Sequence, residues 1–440
     1  MRVFIFLIGL FLFACESAPH KEEKARPKKT TVADIEEGIR AHISTVTEQS
    51  GGFFPLPFEG ETINLKLVRV HTEYLSKLGA TSFFACVDLA DESGDVYDVD
   101  FFLTGEPGDM SVTETTVHKE NGKPFYTWKQ QEDKTWKRVP VKESGNRLMG
   151  VVEGTDSFIF RYEVTLPEMT EESRIWVPLA TSDDWQDVEL LTIKAPNPGS
   201  SSQEEEYGNS YLFYELGPDD SNETILVEYQ VNRTEKSAYT EEGDDVKQYL
   251  KSCELLPVGG RFESIVNDVL ADKKADSDLM KARAIYDFIV DTVRYRKAGQ
   301  YGTGDANYAC DSRSGNCTEF HSYFISLARS AGIPARFAIG AAIPSERNEG
   351  GVNGYHCWAE FYAEGKWWPI DISEGNKYTA LSTYYFGHHP ANRIEFSKGR
   401  DLIVEPLPAS GKIPFFAYPV FEEGGSPSKV KTKFSFDRKT

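Results

Sequence analysis

The sequence predicts an α+β protein built from several domains, and three observations carry that prediction. The chain has 440 residues and 40% hydrophobic content, too long for one compact unit at roughly 150 residues per domain. Between about 156 and 238 apolar and polar residues alternate in the two-residue period of strands. After Gly243 the period changes to the three- and four-residue steps of amphipathic helices. With 27% charged and 13% aromatic residues, wholesale disorder, collagen and coiled coil are excluded. Lys and Arg number 48 against 69 Asp and Glu, a formal charge of −21, which disfavours binding to phosphate backbones.

Taken in order, residues 1–15 hold Met1, Arg2, the apolar run Val3 to Phe13, then Ala14 and Cys15. A run of about eleven apolar residues is too short to span a bilayer and has the layout of a secretory signal. Leu12-Phe13-Ala14-Cys15 resembles the bacterial lipobox, which implies lipidation of Cys15 and an exported protein anchored to a bacterial membrane, facing the periplasm or the cell surface. Residues 16–30 carry almost no large apolar group and read as a flexible tether. Residues 31–148 begin with a helical pattern (Val32, Ile35, Ile39, His42, Ile43). Alternating stretches follow at 63–70, 82–89 and 97–103, so one helix on an antiparallel sheet is expected, a small α+β domain with no visible chemistry.

Residues 150–240 read as a β-sandwich, with strands near 158–164, 174–179, 188–194, 211–215 and 224–231. In 241–424, Asp276 or Ser277 caps a helix with Ile285, Ile289 and Val293 in one stripe. A second helix starts at Cys317 or Thr318 and stops at Gly332 and Pro334; strands follow near 335–343, 356–363 and 367–372. Residues 425–440 read as a frayed polar tail, and the acidic run Glu204 to Glu206 as a solvated loop.

Cys317 stands where a helix begins, and the positive end of the helix dipole favours thiolate over thiol. Gly315 and Asn316 supply a turn that lets a carbonyl approach the Cys317 N–H, one oxyanion donor. A thiolate nucleophile needs an imidazole beside it and a third group to orient the ring. With Glu364-Gly365 as the turn of the following hairpin, Trp358 faces Asp371 and His356 faces Ser373, which puts His356 and Asp371 at one end.

Gly315-Asn316-Cys317-Thr318-Glu319-Phe320-His321, Ala328 to Arg336, Tyr355-His356-Cys357-Trp358 and Trp368-Pro369-Ile370-Asp371 together resemble the transglutaminase-like superfamily. The resemblance implies a papain-like core with Cys317, His356 and Asp371 as catalytic triad. It also extends to Arg174 to Leu179 with Gln186, similar to the β-sandwich that bacterial members place before the catalytic domain. The animal enzymes' upstream oxyanion tryptophan has no counterpart between Tyr207 and Cys317; Tyr308, Tyr301 or Asn307 stands in for it by position. No loop has calcium-site spacing, so no metal or cofactor is expected.

Five cysteines remain after Cys15: Cys86, Cys253, Cys310, Cys317 and Cys357. A Cys310–Cys317 disulfide would silence the nucleophile, and a zinc site from Cys310, Cys317, His356 and Cys357 is disfavoured because neighbouring strand residues point to opposite faces. The expected function is thioester-forming attack on amide or peptide carbonyls, preferably as a protease or amidase. The alternatives are a protein-crosslinking transglutaminase and a non-catalytic envelope scaffold. The expected partners are a peptide or protein substrate in the envelope and, through Cys15, the membrane, with no nucleic acid.

Overall fold

The computed structural model describes residues 30–438 apart from 80, 131–135, 142–149, 242–244 and 378–380. Residues 1–29, on which the expected signal peptide, the lipobox-like stretch with Cys15 and nearly all of the expected tether fall, lie outside the described residues.

The N-terminal domain opens with helix α1 (Val32–Gln49), begun by a reciprocal capping box between Thr31 and Asp34. Its buried stripe Ile35, Ile39 and Ile43 packs on an antiparallel sheet whose central strands are Glu61–Val70, Ser82–Ala90, Val96–Glu106 and Asp109–Glu120. This is the helix-on-sheet packing that the periodicity predicts. The sheet turns Phe83, Ala85, Val87, Leu89, Val99, Phe101 and Leu103 toward α1, as a two-residue period requires.

The next unit is a sandwich of two five-stranded sheets. One has the order 186–194, 224–234, 155–165, 431–438, 349–352; the other runs 200–203, 210–216, 173–179, 420–423, 426–428. Phe158, Phe160 and Tyr162 from the first face Ile175, Val177 and Tyr214 from the second in one core. The polar tail expected from 425 onward is therefore corrected: Lys431–Arg438 pairs with Phe158–Thr165 along its whole length and buries Phe434 and Phe436. These C-terminal strands complete the sandwich, so the segment between its halves, with the helices below, is enclosed within it. Glu204 is likewise not solvated. Its carboxylate is buried and accepts hydrogen bonds from the N–H groups of Glu206, Tyr207 and Asn209.

The enclosed segment holds α2 (Arg261–Leu270), α3 (Asp278–Thr292), α4 (Ala306–Ser312) and α5 (Cys317–Ser330), followed after four further strands by α6 (Ile372–Lys377). Ser277 caps α3, and Ile285, Ile289 and Val293 are fully buried. Helix α5 is covered on nearly every side by α2, α3, α4 and a four-stranded sheet ordered 366–370, 356–363, 335–342, 393–398. The hairpin register pairs Ala359 with Ile370 and Ala363 with Lys366, the alignment that puts Trp358 opposite Asp371.

Candidate active site

Helix α5 begins at Cys317 because Asn316 caps it: Oδ1 accepts from the Thr318 N–H at 2.8 Å, while the Glu319 carboxylate reaches back to the Asn316 N–H at 2.9 Å. The other Glu319 oxygen accepts from the N–H groups of Gly302 and Gly304 at 2.8 and 2.9 Å, which ties the preceding loop to the first turn. Gly315 has no room for a side chain, since a Cβ there would lie 2.4 Å from the Glu319 Cβ. The cap serves Thr318, so the Cys317 N–H at the positive end of the helix is not consumed by it.

His356 starts the strand beside α5, and its Nε2 lies 2.6 Å from Asp371 Oδ2. With Nε2 so engaged, the other ring nitrogen is the one left for the Cys317 sulfur, which hydrogen-bonds the ring. Asp371 ends its strand with both oxygens held. Oδ1 accepts from Ser373 Oγ at 2.9 Å and the Glu374 N–H at 3.1 Å, and Oδ2 also takes Arg393 at 3.2 Å.

All three groups are buried, which magnifies their mutual charges. Burial alone would push the Cys317 thiol up, but hydrogen bonds from Cys357 and His356 and the ring's positive charge hold it well below the ordinary thiol range. Burial opposes charge on His356 too; the Asp371 charge and hydrogen bond outweigh it and raise the ring to about 9. Burial of Asp371 is overcome by His356, His321 and Arg393, which keep its carboxyl well below the usual range. Near neutrality the ground state is therefore a thiolate beside an imidazolium held by a carboxylate, able to attack a carbonyl and then hand a proton to the departing amine.

The structure thus brings Cys317, His356 and Asp371 together. Tyr308 goes elsewhere: its hydroxyl donates to the Ala298 carbonyl at 3.1 Å. That spends the donor which the oxyanion role assigned to Tyr308 by position would need, and Tyr301 is exposed. The aromatic hydroxyl beside the cap is Tyr355, which receives a hydrogen bond from Asn316 Nδ2 at 3.1 Å. None of the described cysteines is in a disulfide. The thiol next to Cys317 is Cys357, not Cys310, which contacts Arg261 instead. Cys357 and His356 both reach the Cys317 sulfur although they are adjacent on a strand, so alternation does not separate them here.

Two contributors escaped the sequence pattern. His321 accepts the Ile372 N–H on Nε2 at 3.1 Å, so its Nδ1 carries the proton and donates to the Cys317 carbonyl at 2.7 Å. One neutral ring thereby fastens the nucleophile's turn to the residue after Asp371. Its position one helical turn beyond Cys317 was a usable signal. Arg393, on a distant strand, gave none.

Residues 264–372 match the family model of the transglutaminase-like superfamily, a span that contains Cys317, His356 and Asp371. An uncharacterised protein from Haemophilus influenzae is 26% identical over 327 residues, covering 62% of this chain and 88% of its own. A crystal structure of a protein from Cytophaga hutchinsonii called a putative cysteine protease is 16% identical with a TM-score of 0.44, over 65% of this chain and 99% of that one. The periplasmic domain of TgpA from Pseudomonas aeruginosa is 14% identical with a TM-score of 0.30, over 53% and 92%.

Proposed function

We propose, from the premise that the chain carries a transglutaminase-like domain, that it is a cysteine-dependent acyl-transfer enzyme acting on peptide or carboxamide carbonyls, with water as the acceptor. The observation that supports this best is the alignment of Cys317 at a capped helix start with His356 and Asp371, the last two joined at 2.6 Å. The Cys317 sulfur attacks the carbonyl carbon, and the Cys317 N–H faces the oxygen that becomes negative. As the tetrahedral intermediate collapses, the C–N bond breaks, His356 gives its proton to the departing amine, and a thioester remains. Water, deprotonated by the now neutral His356, hydrolyses the thioester to a carboxylic acid and returns the thiolate.

Hydrolysis is preferred to crosslinking because the animal enzymes' tryptophan donor and calcium loops have no counterpart in the sequence. In this reading the substrate is a peptide or protein of the cell envelope, and the chain is held to a membrane by a lipid on Cys15. Among the described residues, no helix is long and apolar enough to cross a membrane.

The test incubates the purified protein with a peptide library and a labelled primary amine, with Cys317→Ala as control. New peptide termini or released ammonia in the wild type only is the expected result. Amine incorporation without hydrolysis would make the protein a crosslinker. Neither product, together with equally slow alkylation of Cys317 in wild type and His356→Ala, would leave a binding module and overturn the proposal. Loss of membrane association in Cys15→Ser checks the anchor.

A further inference from the structure

Acyl transfer of the kind proposed above stabilises the oxygen that becomes negative with preorganised donors, and the Cys317 N–H is one of them. A second donor has to be an N–H or O–H near the start of α5, away from carboxylates and open to the space from which a substrate arrives. Two tyrosines other than Tyr308 and Tyr301 come close enough to Cys317 to feel its charge, Tyr295 and Tyr355.

Tyr295 pairs with Gly315, but it also feels the charges of Glu374 and Asp371. An oxyanion forming there would be repelled by two carboxylates. Tyr355 has the opposite surroundings. Its hydroxyl takes Asn316 Nδ2 at 3.1 Å and lies close to Thr318 Oγ, both at the N-terminal end of α5, where the helix dipole is positive.

The direction of the Asn316 hydrogen bond decides what that hydroxyl can do. Asn316 Oδ1 is committed to the Thr318 N–H at 2.8 Å and to the Thr318 hydroxyl at 2.6 Å, so Nδ2 is the atom facing Tyr355, and it can only donate. The Tyr355 oxygen therefore accepts, and its own proton is left to give. At rest Thr318 Oγ is near enough to take it, but that oxygen is neutral, and a charged oxygen binds the same O–H more strongly. Burial, and then the charges of Cys317 and Cys357, push the Tyr355 hydroxyl well above the ordinary tyrosine range, so it stays a donor.

The ring is fixed before a substrate arrives. Phe415 and Tyr418 pack against it with centroids 5.5 and 5.4 Å away, and the Tyr355 N–H donates to the Tyr418 hydroxyl at 3.3 Å. The next residue is His356, so one stretch of chain carries both the imidazole and this hydroxyl. Gly302, at φ +92°, is the neighbour across from it. A Cβ there would stand 3.6 Å from the Tyr355 hydroxyl and 3.8 Å from Asn316 Nδ2, and its absence keeps the approach clear. Gly302 and Phe415 also line a cavity of about 830 Å³, so the hydroxyl borders space in which a substrate chain can lie.

We propose that the Tyr355 hydroxyl is the second oxyanion donor of this site, a catalytic residue that touches the substrate's carbonyl oxygen together with the Cys317 N–H. This role rests on the acyl-transfer reading above. In the step it assists, the Cys317 sulfur bonds to the carbonyl carbon and the C=O π pair moves onto the oxygen, which takes hydrogen bonds from both donors and no proton. When that pair returns, the C–N bond breaks and the amine leaves with the proton from His356. Tyr355 ends the cycle unchanged.

The test compares two reactions of the same sulfur in the purified protein. Acylation by p-nitrophenyl acetate, followed as a burst of p-nitrophenolate, passes through a tetrahedral oxyanion; alkylation by iodoacetamide does not. In Tyr355→Phe, which keeps the ring and its packing, acylation should fall at least about tenfold while alkylation stays within about twofold of wild type. Equal acylation in the two proteins overturns the assignment. A parallel fall in both reactions also overturns it, since Tyr355 would then only support the thiolate. Tyr295→Phe should leave the ratio of the two rates unchanged, and a fall there instead would give the role to Tyr295. Cys317→Ala sets the background. A wild type that acylates no faster than Cys317→Ala brings down the acyl-transfer reading and Tyr355 with it, whereas a Cys317-dependent burst untouched by Tyr355→Phe removes Tyr355 alone.

Discussion

Asp371→Asn keeps the shape of the residue facing His356 and removes its charge. His356 stands at about 9 against an ordinary 6.5, burial opposing the rise and Asp371 supplying the largest favourable contribution. At about 1.36 kcal/mol per pKa unit, a return to the ordinary value forfeits roughly 3 kcal/mol of ion-pair stabilisation. At pH 7.5 the protonated fraction of the ring falls from about 97% to about 9%, and the thiolate loses its counter-ion. The sign follows from linkage. A ring raised in the folded state stabilises it fully below 6.5, and that contribution disappears as pH rises through about 9. The assay is the rate of Cys317 alkylation by iodoacetamide across pH, read by peptide mass spectrometry and independent of any substrate. The wild type should show fast labelling extending well into the acid range, its ion pair ending near pH 9. In Asp371→Asn the neutral-pH rate should drop about tenfold and rise only toward the ordinary thiol range. Superimposable profiles in folded proteins would refute the claim that Asp371 holds the ring charged.

Gly315→Ala puts a Cβ 2.4 Å from the Glu319 Cβ, so the capping box must shift and Cys317 with it; turnover should fall about a hundredfold, and the melting temperature should drop as well. Arg283→Ala leaves the Asp88 and Asp287 carboxylates without their 3.0 and 2.9 Å partner and should cost about 3–5 kcal/mol in urea denaturation. Phe434→Ala empties a buried position between Phe160, Tyr162 and Phe396 and should cost about 3–5 kcal/mol, whereas an unpaired tail would show no change.

What the sequence revealed was local. Cys317, its glycine turn and the apolar stripe of α5 lie within a few helical turns, and a two-residue hairpin turn fixes which strand residues meet, so His356 and Asp371 could be aligned by arithmetic. Contacts across long sequence separations were not legible. Phe434 and Phe436 do alternate with polar residues, but their partner strand begins at Thr155, and nothing near the C-terminus announces it. Arg393 is 22 residues beyond Asp371 and reaches it only because the strand 393–398 joins the far side of the sheet. The polar strip Cys86, Asp88, Asp98, Asp100 fits the alternation expected of a solvated face. It is buried instead, because the catalytic domain and a strand bulge at His118 cover it.

That covered face bears on how the domains act on one another. Arg283 lies on α3, whose Ile285 and Ile289 share one core with Phe320 and Phe324 of α5, the helix that begins at Cys317. Asp88 is therefore one ion pair and one helix away from the nucleophile's support, and the Arg69–Asp287 pair at 2.8 Å doubles the link. Separating the domains would break the buried Arg283–Asp88 pair and the Arg69–Asp287 pair, leaving Asp88 with His71 alone and Arg283 with Asp287 alone, a loss of about one buried ion pair's worth of compensation on each side. A linker-joined pair with a small polar interface would move freely. Here the charge burial argues for a rigid junction, in which the sheet of the N-terminal domain acts as a wall of the catalytic domain.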